Sequence, residues 1–220
     1  MSVAFSYQGR ADGNASPDAR VIGRVHSLRD RTALRLRTVG PADADELRAG
    51  FARLSPQSRY LRFFSPTPRL SDSMVRRLTN TDGWNHVALV AETIPVYDEP
   101  PEPLGVARFF RLQDRPDTAE VAVTVIDEYQ RRGLGGLLLR SLARLARDRG
   151  INRFVASVLD ENVPMKALLH GAGGLASVKR DGSVVLYEFD LAPRAGAARQ
   201  IDEPLHADAP RGSSGRLPLA

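Results

Sequence analysis

Residues 129–136 read Tyr-Gln-Arg-Arg-Gly-Leu-Gly-Gly and lie between an apolar run and a leucine-rich run. Where a strand ends, a glycine turn follows and a helix begins, the first helical N–H groups lack intrahelical partners. The helix dipole adds partial positive charge there, and together these make an anion site. Gly133, Gly135 and Gly136 let a ligand's phosphates approach the backbone with no Cβ in the way. Arg131 and Arg132 add charge-assisted donors. The stretch therefore reads as a diphosphate cradle. It is not a Walker loop, because no Gly-Lys-Ser/Thr follows. It is not a dinucleotide fingerprint either: Leu138 stands where the third glycine of G-x-G-x-x-G belongs.

A second residue with chemical potential precedes the cradle. Glu120 is the lone acid in the run Ala-Glu-Val-Ala-Val-Thr-Val-Ile at 119–126. Strand alternation puts it on one face with Ala122 and Thr124, opposite Val121, Val123 and Val125. A carboxylate so placed can accept a proton from a substrate. It can equally form a salt bridge to a neighbouring arginine or occupy a solvated edge.

The elements that must position these residues follow from periodicity. Residues 33–37 (ALRLR) alternate as a half-buried strand. Pro41 opens a helical stretch with acids in its first turn, SPQSRYLRFF forms a second helical piece, and LSDSMVRRLTN a third capped by Ser71. Strands are expected near 86–93, 104–112 and 119–127, with the proline-rich loop IPVYDEPPEP between the first two. The helix after the cradle puts Leu138, Leu142, Leu145 and Ala146 on one face and Arg140, Arg144 and Arg147 on the other, and Gly150 ends it. RFVASVL is a strand, ENVPMKALLHGAGG a short helix and SVVLYEFDL a final strand. The order β-ααα-βββ-α-β-α-β implies an α/β protein with a mixed sheet and helices packed on it.

Composition narrows the chemistry. The 220 residues allow one domain plus extensions, and 42% hydrophobic content suits a packed core. Without cysteine there is no disulfide, thiolate nucleophile or Cys-based zinc site, and His26, His86, His170 and His206 lack metal-ligand spacing, so no metal is expected. There is neither a signal-peptide pattern nor an apolar run long enough to span a bilayer, which gives an expectation of a cytoplasmic protein without membrane contact. The net charge of +5 is carried almost wholly by arginine; the lysines are Lys166 and Lys179. The arginines of the long helix lack interleaved aromatics, so a nucleic-acid partner is not expected. Residues 1–30 and 193–220 read as flexible extensions, leaving a core domain at 31–192.

The pattern Gln130-Arg131-Arg132-Gly133-Leu134-Gly135, after a strand and opening a helix, resembles the acetyl-CoA loop of the GNAT N-acetyltransferase superfamily. The run AEVAVTVIDEYQRRGLG is similar to that family's fourth strand and loop, and the order of elements matches from about 32 to 191. The resemblance implies a mixed, mostly antiparallel sheet of six to seven strands flanked by helices. It implies acetyl-CoA as acyl donor. Backbone groups of Val123, Thr124 and Val125 would pair with the pantetheine amides. Gln130, Arg131, Arg132, Gly133, Leu134, Gly135 and Gly136 would form the pyrophosphate loop. Asn162 would contact the cofactor arm, although asparagine also favours a helix N-cap unaided. The A-E-V-A context of Glu120 and the run L-S-x-x-S-R-Y-x-R-F-F at 54–64 resemble the GNAT domain of bacterial protein lysine acetyltransferases, in which a matching glutamate is the proposed base.

Some family features are missing or open. The tyrosine acid expected four residues before a glycine in the last helix is replaced: counting back from Gly173 gives Leu169, and the adjacent His170 suits a surface or cap role. Tyr60, Phe63 and Phe64, with Arg59 and Arg62 between them, read either as core packing or as a wall of the acceptor cleft. The acceptor is then a protein lysine or a small amine such as a polyamine, amino acid or drug. An acidic pocket with Glu92 or Asp98 beside Glu120 would favour the small cation. A non-catalytic acyl-CoA sensor is the third reading. The resemblance also leaves a homodimer open.

Overall fold

A computed structural model describes residues 23–95 and 100–191. Eight strands form one sheet: β1 (Val25–Ser27), β2 (Ala33–Thr38), β3 (His86–Thr93), β4 (Pro103–Arg111), β5 (Thr118–Val125), β6 (Arg153–Leu159), β7 (Leu175–Asp181) and β8 (Val184–Asp190). Their order across the sheet is β1-β2-β3-β4-β5-β6-β8-β7. Every pairing is antiparallel except β5 with β6. That parallel step demands a crossover, which the chain makes with the helix after the glycine stretch.

Five α-helices flank the sheet: α1 (Ala44–Ala52), α2 (Pro56–Phe63), α3 (Asp72–Thr79), α4 (Leu134–Arg147) and α5 (Val163–Gly171). Ser55 caps α2 by accepting from the Ser58 N–H at 3.1 Å, and Ser71 caps α3 by accepting from the Met74 N–H at 3.2 Å. Pro41 opens a short 3-10 turn rather than α1 itself. In α4, Leu138, Leu142, Leu145 and Ala146 are buried while Arg140, Arg144 and Arg147 face solvent. The core of the apolar face joins α4 to Leu104, Ala107 and Phe109 of β4 and to Phe154 of β6. Among the described residues, no helix is long and apolar enough to cross a membrane.

The eight strands exceed the expected six to seven, and β1 and β7 are the two absent from the order read in the sequence. β1 has only three residues and lies where the flexible extension at 1–30 was expected; it pairs with β2 through a turn in which Asp30 Oδ1 accepts from the Thr32 N–H. β7 has an edge position with little buried surface, so its alternation is faint. Its sequence signal is the turn Asp181-Gly182, with Gly182 at φ 58°. The expected extensions at 1–22 and 193–220 lie outside the described residues.

Candidate active site

β5 is bonded to β4 along its length, from Ala119 opposite Arg111 to Val125 opposite Gly105. On its other side it pairs with β6 only through Thr118, Ala119 and Glu120, opposite Arg153, Phe154 and Val155. Beyond Glu120 the two parallel strands part, while residues 156–159 of β6 remain paired with β8. The gap exposes backbone polar groups of β5 that must find other partners. Val123, Thr124 and Val125, expected to meet the pantetheine amides, lie along it.

At the far end of the gap stands the glycine loop. A 3-10 turn at Asp127–Tyr129 leads through Gln130 to Arg131 at φ 59° and Gly133 at φ 94°. Gly133 is the N-cap of α4, and this left-handed conformation is the reason for glycine there. Among the described residues, nothing accepts from the backbone N–H groups of Arg131, Arg132, Gly133, Leu134, Gly135 or Gly136; the first satisfied donor is Leu137, to the Gly133 carbonyl. A Cβ on Gly135 would stand 3.3 Å from Leu168 of α5, and one on Gly136 would stand 3.0 Å from the Arg140 guanidinium. Free donors, glycines and the exposed Arg131 fit a diphosphate. Arg132 is engaged differently, bonding Asp30 at 3.0 Å and lying over the Tyr129 ring. It ties the β1–β2 turn to the loop.

Gln130 has a structural task in addition to the one expected of it. Its Nε2 donates to the Val125 carbonyl at 3.1 Å and to Ser58 Oγ at 3.3 Å. Asp127 accepts from the Ser55 N–H, Ser55 Oγ and Ser58 Oγ at 3.0, 2.7 and 2.8 Å. Burial pushes its carboxyl up, but the Ser55 and Ser58 donors outweigh this and hold it below the usual range. These bonds pin the start of α2 to the end of β5. The L-S-x-x-S spacing is their signal in the sequence, since it places both serines on the first turn of α2.

Glu120 occupies the last paired position before β5 and β6 separate, and its side chain is exposed. Among the described residues no arginine lies within ion-pair distance of it, and its charge acts on Arg62. Arg62 donates from Nε to Thr124 Oγ1 at 3.2 Å. Burial lowers the Arg62 pKa, and the Glu120 charge partly offsets that. Arg62, Phe63 and Thr124 line a cavity of about 80 Å³ between the sheet and α1–α3. Arg108 of β4, which composition gave no reason to single out, lines it too.

The aromatic run packs as core and also reaches the cavity. Phe63 packs edge-on against Phe51, with ring centroids 5.6 Å apart, and also faces the cavity, whereas Phe64 is largely exposed at the C-cap of α2. Asn162 is the N-cap of α5: its Oδ1 accepts from the Met165 N–H at 3.1 Å, leaving the amide nitrogen for a ligand. Leu169 is fully buried, and His170 sits edge-on to Tyr187, on α5.

Glu92 does not contribute to an acidic pocket beside Glu120 of the kind that would favour a small cation. Glu92 is 2% exposed and bonds Arg35 at 2.5 Å and Arg37 at 2.8 Å. It lies at the opposite end of the sheet: β3 pairs Glu92 with Pro103 of β4, whereas Glu120 is opposite Phe110. Asp98 lies outside the described residues.

Comparison with known proteins agrees with this geometry. The family model described as "Acetyltransferase (GNAT) family" matches residues 48–173. Acetyltransferase Pat of Mycolicibacterium smegmatis is 32% identical over 161 residues, covering 72% of this chain and 46% of Pat, so the chain spans about half the length of that relative. Acetyltransferase PA5475 of Pseudomonas aeruginosa is 28% identical, covering 72% of this chain and 84% of that protein. The crystal structure of the GNAT domain of S. lividans PAT superposes with a TM-score of 0.69 at 37% identity, covering 76% of this chain and 96% of that domain. With an eight-stranded mixed sheet, a parted β5–β6 pair and a glycine loop opening α4, this chain belongs to the GNAT family of acetyltransferases.

Proposed function

We propose that this chain transfers an acetyl group from acetyl-CoA to the side-chain amine of a lysine in a protein, with Glu120 as general base. The observation that carries the reading is the position of Glu120 where β5 and β6 part, on the same strand that leads to the unsatisfied donors of α4. A donor whose diphosphate rests on the N–H groups at 131–136 would extend its arm along residues 123–125 toward Glu120. Arg131 adds charge to the loop, and Asn162 offers its amide nitrogen from the facing helix. The similarity to Pat and to the S. lividans PAT domain supports a protein acceptor.

A lysine amine has a pKa of about 10.4, so its neutral form at pH 7 lies about 4.6 kcal/mol uphill. Glu120, directly or through one water, takes the proton and recovers part of that cost. The amine nitrogen bonds to the acyl carbon, the carbon–sulfur bond breaks, and the thiolate leaves. With Leu169 buried where a tyrosine acid was sought, the thiolate collects its proton from solvent; a thiol pKa of about 8.5 makes that tolerable.

The test is Glu120→Gln, assayed with acetyl-CoA and a lysine-bearing protein. We expect kcat to fall by about 10²–10³, with acetyl-CoA affinity unchanged and activity partly recovered at high pH, where the amine deprotonates unaided. Full activity of the variant from pH 6 to 9 would remove Glu120 from the mechanism.

A further inference from the structure

The chemistry above leaves one buried and one half-buried cation unused. Arg62 of α2 and Arg108 of β4 line the same cavity. Arg108 is 2% exposed, and its Nη1 donates to the Leu78 carbonyl in the last turn of α3 at 2.5 Å. Arg62 is held by Thr124. Among the described residues, neither has a carboxylate within ion-pair distance. Their proximity is energetically felt: burial pulls the Arg108 guanidinium down to about 9, and repulsion from Arg62 contributes.

The acids nearby are not in ion-pair contact with either arginine. Asp43, in the cavity wall, is bound to Arg37 at 2.7 Å, and Glu46 also lines the cavity but is exposed and pairs with neither arginine. The charge of Glu120 acts on Arg62 without ion-pair contact. Two guanidinium groups thus lie in a cavity walled by Leu47, Phe51, Leu78 and Val106 with no carboxylate in ion-pair contact with either. An uncompensated charge in such surroundings is costly, and a ligand that brings the counter-charge recovers the cost. Guanidinium forks bind carboxylates in a planar, two-bonded geometry, and about 80 Å³ admits a group of that size.

We propose that Arg62 and Arg108 form a carboxylate subsite of the acceptor cleft, so that the preferred acceptor carries a carboxylate close to the amine it presents to Glu120. This rests on the acetyltransferase reading above and adds a selectivity to it. The carboxylate comes either from an acidic side chain beside the target lysine of a protein or from the main-chain carboxylate of a free amino acid. Both would place the anion on the arginines while the amine reaches the parted end of β5.

Two measurements on the full chain test this. In the first, glutarate is titrated into the protein by calorimetry, with and without acetyl-CoA. One-to-one binding in the millimolar range, lost in Arg62→Gln and in Arg108→Gln, is expected; no binding to the unmodified protein overturns the subsite. Should Arg108→Gln fail to fold, Arg62→Gln, whose side chain is only partly buried, carries the comparison.

In the second, kcat/KM is compared for lysine peptides with Glu or Gln at each position flanking the lysine, and for free lysine against lysinamide. A preference of about tenfold or more for the carboxylate-bearing member of one pair is expected, collapsing in Arg62→Gln. Preference within the peptides identifies a protein acceptor, and preference for free lysine identifies a small one. Equal rates in both pairs overturn the proposal even if glutarate binds. If no amine is acetylated, the acetyltransferase reading fails, while the glutarate titration still decides whether the anion site exists.

Discussion

Acid should weaken this fold well before its carboxylates titrate, because of His86. The imidazole is 4% exposed and stacks on Phe110, with ring centroids 4.0 Å apart. Its Nδ1 meets the Asn80 carbonyl at 3.1 Å, and its buried Nε2 has no hydrogen-bond partner. Burial lowers its pKa first, the charge of Arg108 adds to that and Arg77 contributes, against opposing effects of Asn80 and Asp82; the result is about 4 instead of 6.5. The unfolded chain therefore binds more protons than the folded one between these values, so stability rises with pH across this window and is lost as pH falls from 6.5 toward 4. Integrating the two titrations gives a loss of about 2 kcal/mol between pH 7.5 and 5, tending to about 3 kcal/mol in stronger acid. Urea unfolding at both pH values should show it as a midpoint lower by about 1 M, given a slope of about 2 kcal/mol per molar. In His86→Gln most of that difference should vanish. An unmodified protein equally stable at pH 5 and 7.5, or a variant with the same slope, would refute the reasoning. The carboxylates do not confuse the window: Asp30, Asp82, Asp127 and Asp160 have pKa values held below 3.8, so the stability they contribute is lost at lower pH.

Two glycines should respond differently to alanine. At Gly133 the nearest side-chain atom is 3.8 Å from a new Cβ, so only the positive φ is penalised, by about 1–2 kcal/mol, with weaker acetyl-CoA binding. At Gly174 the new Cβ would clash with the Asp190 carbonyl oxygen and also meet a φ of 71°, so thermal unfolding should show a larger loss, of about 3 kcal/mol or more. Glu92→Gln should cost about 1–2 kcal/mol in urea unfolding, less than a fully buried pair, because Arg35 and Arg37 reach solvent. Asp127→Ala, which unties α2 from the end of β5, should lower stability by about 1–2 kcal/mol and reduce activity through displacement of Arg62; unchanged kinetics would show that α2 holds its place without this carboxylate.

The glycine turn and the helix it opens were legible because their physics is local. A glycine at φ 94°, free N–H groups and an adjacent arginine are written in consecutive residues, and so is the apolar face of α4. The place of Glu120 on a strand face was equally readable from alternation. The short strand β1 and the exposed edge strand β7 were not, because neither buries enough to leave a pattern.

What the sequence determined by itself was thus the order of elements other than β1 and β7, the glycine loop that opens α4 and the lone acid ahead of it. These depend on periods of two and 3.6 residues and on backbone conformations that only glycine adopts easily. What the tertiary structure alone decided was which distant charges meet. Glu92, a plausible neighbour of Glu120 on composition, is drawn to Arg35 and Arg37 at the far end of the sheet. Arg62 and Arg108, 46 residues apart in the chain, are brought to one cavity by the register of β4 with β5 and by the serines that fix α2. Such meetings are set by sheet register and helix docking, which combine segments far apart in the chain and leave no trace in the spacing of either one.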